Sequence, residues 1–128
     1  QRLRREGCSV LLAGKRILIV EDEPLIAIDL ESAVVDQQGT VISAPSTLAE
    51  AQRVAENEAF DGAILDLHLK EGLALPVAES LLQRAIPFVI HSGHTDITTP
   101  RAWPMVPIIG KPALPEHVIA ILASIIRK

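Results

Sequence analysis

Asp66 ends the short apolar run Ala63-Ile64-Leu65, and Glu21-Asp22-Glu23 ends another, Ile17-Leu18-Ile19-Val20. A continuous apolar run of this length reads as a strand buried on both faces. Each acid is then expected at the carboxyl edge of a sheet, where open α/β folds place their chemistry. Two more apolar runs lead to Ser92 and Lys111: Phe88-Val89-Ile90-His91 before the serine, and Val106 to Ile109 before Gly110-Lys111-Pro112. Carboxylates brought within a few ångströms repel unless one is protonated or a cation sits among them. Glu21, Asp22 and Asp66 offer only oxygen, with no cluster of cysteines, so the fitting ion is a hard one such as Mg²⁺. Phosphoryl transfer depends mainly on positioning and charge neutralisation, which such an ion supplies. A carboxylate can itself be the nucleophile and become an acyl phosphate. Asp66 is therefore the expected phosphoryl acceptor, Lys111 a counter-charge and Ser92 a hydrogen-bond donor to a phosphoryl oxygen.

The elements that must position these residues are legible as an alternation. Residues 1–14 read as an N-terminal extension, and the folded unit is expected over 15–128. Strands are expected at Arg16–Val20, Thr40–Ala44, Ala63–Asp66, Phe88–His91 and Val106–Ile109. Pro24 suits the first position of a helix whose apolar residues recur at Ile26, Leu30, Ala33 and Val34, with Gly39 as its stop. Thr47 and Glu50 form a capping-box pattern for a second helix ending near Asn57. His68 to Gly72 read as a loop before a third helix, Leu75 to Arg84. The last helix, Pro115 to Arg127, carries a broad stripe of Val118, Ile119, Ile121, Leu122, Ile125 and Ile126, wide enough for the core and a second copy of the chain. Between Ser92 and Pro104, the prolines and β-branched residues argue for one helical turn at most. Five strands alternating with helices imply a flavodoxin-like (βα)₅ α/β fold, a doubly wound parallel sheet in the order 2-1-3-4-5 with the fourth helix short or absent. In that order the first and third strands are neighbours, which brings Glu21 and Asp22 beside Asp66.

From Lys15 to Lys128 the chain resembles the receiver domains of two-component response regulators. Val20-Glu21-Asp22-Glu23-Pro24 resembles the family's acid-pair motif, and Asp66 falls on its phospho-acceptor. Ser92-Gly93 falls on its hydroxyl residue and the small residue after it, and Lys111-Pro112 on its lysine and a proline preceded by a cis peptide. The resemblance implies that Asp22 ligates Mg²⁺ directly and Glu21 through water, with Asp66 and the main-chain carbonyl of His68 completing the protein ligands. It implies a phosphohistidine on a sensor histidine kinase or phosphotransfer protein as donor, with acetyl phosphate as a small substitute, and an output protein that the sequence does not name. Two positions depart from the common pattern. Ile108 stands where the family usually has Phe or Tyr, and the segment Thr95 to Pro104 stands where it has a fourth helix. Both resemble a divergent alphaproteobacterial subgroup, in which Ser92-Gly93-His94 would correspond to a Thr-Gly-Tyr-like turn. The segment carrying Trp103 is expected to reorder and carry the output. The alternative on the same fold is a phosphorylation-independent interaction module, which predicts partner binding that survives Asp66→Asn.

Composition narrows the classes. The chain has 128 residues and a net charge of −4, with Phe60, Phe88 and Trp103 as its aromatic residues. An aliphatic core of this kind suits helices on a parallel sheet and poorly suits a stacking platform for bases. Residues 1–16 hold five basic side chains against Glu6, so the remainder is strongly acidic and argues against direct nucleic-acid binding. Cys8 is the sole cysteine, which points to a reducing, cytoplasmic compartment. No apolar run approaches the roughly 20 residues of a membrane span. His91 and His94 read as residues flanking a loop rather than a zinc pair with Asp66. The side chain of His68, two residues after Asp66, is expected to face a phosphoryl group and affect its hydrolysis. His68 also stands where a phosphohydrolase would have a second catalytic acid, so the expected role is a switch rather than a metabolic enzyme.

Overall fold

The computed structural model describes residues 10–45, 47–93 and 106–126. In chain order its elements are β1 (Arg16–Val20), α1 (Pro24–Asp36), β2 (Thr40–Ser43), α2 (Leu48–Asn57), β3 (Gly62–Leu65), β4 (His68–Leu69), β5 (Gly72–Leu73), α3 (Leu75–Gln83), β6 (Phe88–Ser92), β7 (Ile108–Gly110) and α4 (Pro115–Ile126). The main sheet is parallel, in the order β2-β1-β3-β6-β7. Counting its strands alone, this is the flavodoxin-like order 2-1-3-4-5 expected from the alternation. The expected loop at His68 to Gly72 is instead a small antiparallel hairpin, β4 against β5, with Lys70 and Glu71 at its turn. The expectations for residues 1–9, for His94 and Trp103, and for a short or absent fourth helix fall on segments outside the described residues.

Side-chain alternation along the strands sorts the core into two layers. Leu18, Val20, Ala63, Leu65, Phe88 and Ile90 face α2 and α3, where Ala51, Val54, Ala55, Val77, Ala78 and Leu81 meet them. Ile17, Ile19, Ile64, Val89 and Ile109 face α1 and α4, against Leu30, Val34, Val118, Ile119 and Leu122. Burial on both faces is why β3 reads as an unbroken apolar run rather than an alternating one. Upstream of β1, Leu12 is fully buried in the second layer, and its N–H donates to the Gln37 carbonyl at 3.1 Å. This turn of the expected extension therefore packs onto the domain.

The ends of α1 and α2 show how local chemistry sets element boundaries. Pro24 takes the first turn of α1, where its missing N–H costs nothing. At the other end Gln38, not Gly39, adopts the left-handed conformation, with φ of 68°. The Gly39 N–H bonds to the Val34 carbonyl and the Gln38 N–H to the Val35 carbonyl, both at 2.9 Å, which closes a Schellman motif. Gly39 is required for a different reason: a Cβ there would lie 2.9 Å from Val34 Cγ1 and 3.0 Å from Leu12 Cβ. At α2 the Thr47 hydroxyl accepts from the Glu50 N–H at 3.2 Å, as the capping pattern predicts. The Glu50 carboxylate turns outward to Arg53 rather than back to Thr47.

Candidate functional site

The register carries the acids to one place. Val20 pairs with Leu65 across β1 and β3, and the Asp66 N–H continues the ladder by donating to the Val20 carbonyl at 2.9 Å. Glu21 and Asp66 therefore leave adjacent strands side by side at the carboxyl edge. On the other flank Ser92 pairs with Gly110, and the Lys111 N–H donates to the Ser92 carbonyl at 2.8 Å. The Lys111-Pro112 peptide is cis, as the resemblance implies.

Side-chain geometry completes the cluster. One ligand oxygen from each of Glu21, Asp22 and Asp66 lies within 4.8 Å of the others. Lys111 Nζ reaches in from β7 and sits 2.9 Å from both Asp66 Oδ2 and Glu21 Oε1. The Asp66 contact is an aligned hydrogen bond, and the Glu21 contact is an ion pair without that alignment. Backbone donors fix the rest: the His68 N–H donates to Asp66 Oδ1 at 2.9 Å, the Glu23 N–H to Glu21 Oε2 at 3.1 Å, and the Lys70 N–H to Asp22 Oδ2 at 2.6 Å. Asp66 and Glu21 are buried, Asp22 is half-buried, and Ser92 is fully buried with its Oγ 3.5 Å from His68 Nδ1.

These surroundings bias the charges. Burial pushes the Glu21 carboxyl above its ordinary value, and the Lys111 ammonium offsets part of that rise. Burial alone would lower Lys111, but its contacts with Glu21 and Asp66 outweigh it and hold the ammonium charged. Two carboxylates at such separations repel by on the order of 3 kcal/mol at an effective dielectric constant near 20. Three carboxylates against one ammonium leave about two negative charges, which matches a divalent cation. The all-oxygen donor set is the kind that Mg²⁺ takes. The residues present therefore fit that ion, which would balance the charge of the cluster around the buried Asp66 carboxylate.

Each sequence-expected side chain, Glu21, Asp22, Asp66, Ser92 and Lys111, lies at this edge, and His68 stands beside it. His91 is buried on β6, and neither ring nitrogen has a partner among the described residues. Among those residues the ligating group close enough to share an ion is the acid trio, without a histidine. Ile108 is exposed on β7. Sequence reasoning missed Lys70 and Glu71. The signal available was Gly72, three residues after Leu69, which leaves a two-residue hairpin turn between them.

No protein-family model matches the sequence. The solution structure of SdrG from Sphingomonas melonis Fr1 is 36% identical with a TM-score of 0.74, covering 91% of this chain and 97% of that one. The response regulator PhyR from Brucella abortus is 26% identical with a TM-score of 0.74, covering 94% of this chain and 51% of PhyR. The phyllosphere-induced regulator PhyR of Methylorubrum extorquens AM1 is 34% identical over 113 residues, or 84% of this chain and 42% of the relative. The chain thus spans about half the length of the PhyR proteins and nearly all of SdrG. The topology, the four strand ends and these relatives converge: the chain belongs to the receiver domains of response regulators.

Proposed function

We propose that Asp66 accepts a phosphoryl group from a phosphohistidine on a sensor histidine kinase or phosphotransfer protein, and that the modified domain changes which protein it binds. The observation that carries this reading is Lys111 Nζ, 2.9 Å from both Asp66 and Glu21 at the rim of a three-carboxylate cluster. A buried nucleophile with a movable counter-charge is what in-line transfer to a carboxylate needs. Asp66 Oδ1 is held by a backbone N–H, whereas Oδ2 is held by an ammonium on a flexible stem. Lys111 can leave Oδ2 and follow the charge onto a phosphoryl oxygen. An Asp66 oxygen then forms the new O–P bond as the N–P bond breaks, and the leaving imidazole nitrogen keeps the electron pair and takes up a proton. Ser92 donates its hydroxyl to another phosphoryl oxygen. Glu21, Asp22 and Asp66, with the main-chain carbonyl of His68, would hold Mg²⁺, which when bound supplies charge neutralisation to the transferred group. In this reading the domain catalyses only its own phosphorylation and dephosphorylation.

The test is transfer of labelled phosphate from candidate kinases, and from acetyl phosphate, to wild type and Asp66→Asn, with Mg²⁺ or with EDTA. Label should appear on wild type only with Mg²⁺ and be absent from Asp66→Asn. Equal labelling of the two proteins would overturn the assignment. Equal, Mg²⁺-independent binding of a partner by both would replace it with a phosphorylation-independent interaction module.

A further inference from the structure

The hairpin absent from the expected architecture connects two parts of the molecule that the acceptor chemistry leaves unrelated. Its turn is Lys70-Glu71. On one side the Lys70 N–H donates to Asp22 Oδ2 at 2.6 Å. On the other, Glu71 Oε1 accepts from the Leu48 N–H, also at 2.6 Å. Leu48 opens α2, and its N–H is one of the donors that a helix N-terminus leaves without an intrahelical partner. A carboxylate there meets both an orphan donor and the positive end of the helix dipole. The hairpin is pinned elsewhere too. The Ala74 N–H closes its base on the Leu67 carbonyl at 2.8 Å, and Gly72, with φ of 141°, takes a backbone conformation that a side chain would strain, its Cβ position 3.9 Å from Leu48 Cδ1. Leu48 and Leu69 both pack on the core layer that holds Val20 and Leu65.

We propose that Glu71 is a positioning residue for the acidic site: by clamping the hairpin to the start of α2, it holds the Lys70 N–H where it orients the Asp22 carboxylate toward Glu21 and Asp66. The inference rests on the reading of those three acids as a Mg²⁺ site. Asp22 is the least buried of them, and the Lys70 N–H, 2.6 Å from Oδ2, restricts its carboxylate. A ligand oriented before the ion arrives binds it more tightly than one that must be ordered on arrival. Linkage makes the effect reciprocal: if the clamp tightens Mg²⁺ binding, Mg²⁺ must tighten the clamp by the same factor. The N-terminus of α2 then reports occupancy of a site on the other side of the hairpin, by a route that needs no aromatic residue at 108.

The experiment measures Mg²⁺ affinity by calorimetry, and exchange protection of the Leu48 amide by NMR, on the whole chain. The proteins are wild type, Glu71→Gln, Glu71→Ala and Thr47→Ala. Thr47→Ala weakens the same helix end through the Glu50 N–H and leaves the hairpin alone, so it controls for lost helix stability. Glu71→Ala should weaken Mg²⁺ binding by roughly three- to tenfold, less than the 10–100-fold typical of a direct partner of a metal ligand. Glu71→Gln, which keeps an acceptor oxygen, should fall between Glu71→Ala and wild type, and Thr47→Ala should match wild type. Mg²⁺ should raise Leu48 protection in wild type and lose that effect in Glu71→Ala. If Glu71→Ala binds Mg²⁺ like wild type, the clamp is wrong and the acceptor reading stands. If Thr47→Ala loses as much affinity as Glu71→Ala, the effect is general destabilisation and the clamp is wrong. If wild type binds no Mg²⁺, both fall.

Discussion

His91 precedes Ser92 on β6, inside the folded sheet. Its ring is buried on β6, both nitrogens lack partners among the described residues, and it borders a cavity of about 250 Å³ beside Lys111. Burial, and then the Lys111 charge, hold the imidazole below its ordinary 6.5, with Asp66 opposing. The folded protein thus binds this proton less readily than the unfolded chain. The stability contributed is present above pH 6.5 and is lost as pH falls through the folded value. Glu21 works in the other direction at lower pH. Raised from 4.5 by burial, it favours the fold below that value and loses the contribution as pH rises through the raised one. Comparing variants at each pH removes the Glu21 contribution. His91→Leu should be more stable than wild type by about 1–2 kcal/mol at pH 7, since it deletes unpaired buried polar atoms. The gap should widen from pH 7 to pH 5.5 in metal-free urea titrations. A gap that does not change with pH would show that His91 is not held below its ordinary value.

At the scale of elements, the C-terminus of α1 separates two roles that glycine can serve. The left-handed position belongs to Gln38, and the tight position to Gly39. Gln38→Gly should raise stability by about 1 kcal/mol by removing the side-chain cost of the left-handed conformation. Gly39→Ala should lower it by about 1–3 kcal/mol, because the new methyl must displace Val34 or Leu12. Denaturant midpoints of the two variants therefore move in opposite directions, and movement in the same direction would contradict the Schellman assignment. The spacing of Ile26, Leu30, Ala33 and Val34 predicts α1, and Gly39 stands three residues beyond its last residue, Asp36. Which residue of the Gln38-Gly39 pair takes the unusual backbone was not legible, because it depends on Leu12 approaching from outside the element. The hairpin at His68–Leu73 was missed for a similar reason: its paired strands are two residues each, too short for any period to register.

At the scale of the molecule, the two-layer core extends further back than the alternation of strands and helices implies. Leu12 is fully buried against Gly39 in the layer under α1 and α4. Leu12→Ala should cost about 2–5 kcal/mol in thermal or urea unfolding, the range for a fully buried leucine. A loss under 1 kcal/mol would mean that the segment before β1 is dispensable to the fold. Among the described residues no helix is long and apolar enough to cross a membrane. What the amino-acid order by itself determined was the five strands of the main sheet, their parallel order, and the acids, serine and lysine at their carboxyl ends. Apolar runs of four or five residues ending in a polar side chain have one economical solution when helices alternate with them, a doubly wound sheet with those ends on one edge. What only the tertiary structure decided was how the site is held. That Lys111 bridges Glu21 and Asp66, that Lys70 and Glu71 tie Asp22 to the start of α2, and that His91 is buried without a partner all depend on residues far apart in the chain. Periodicity reports which face of an element is apolar. It carries no information on which backbone N–H meets which carboxylate across a turn, because that contact is set by the packing of whole elements.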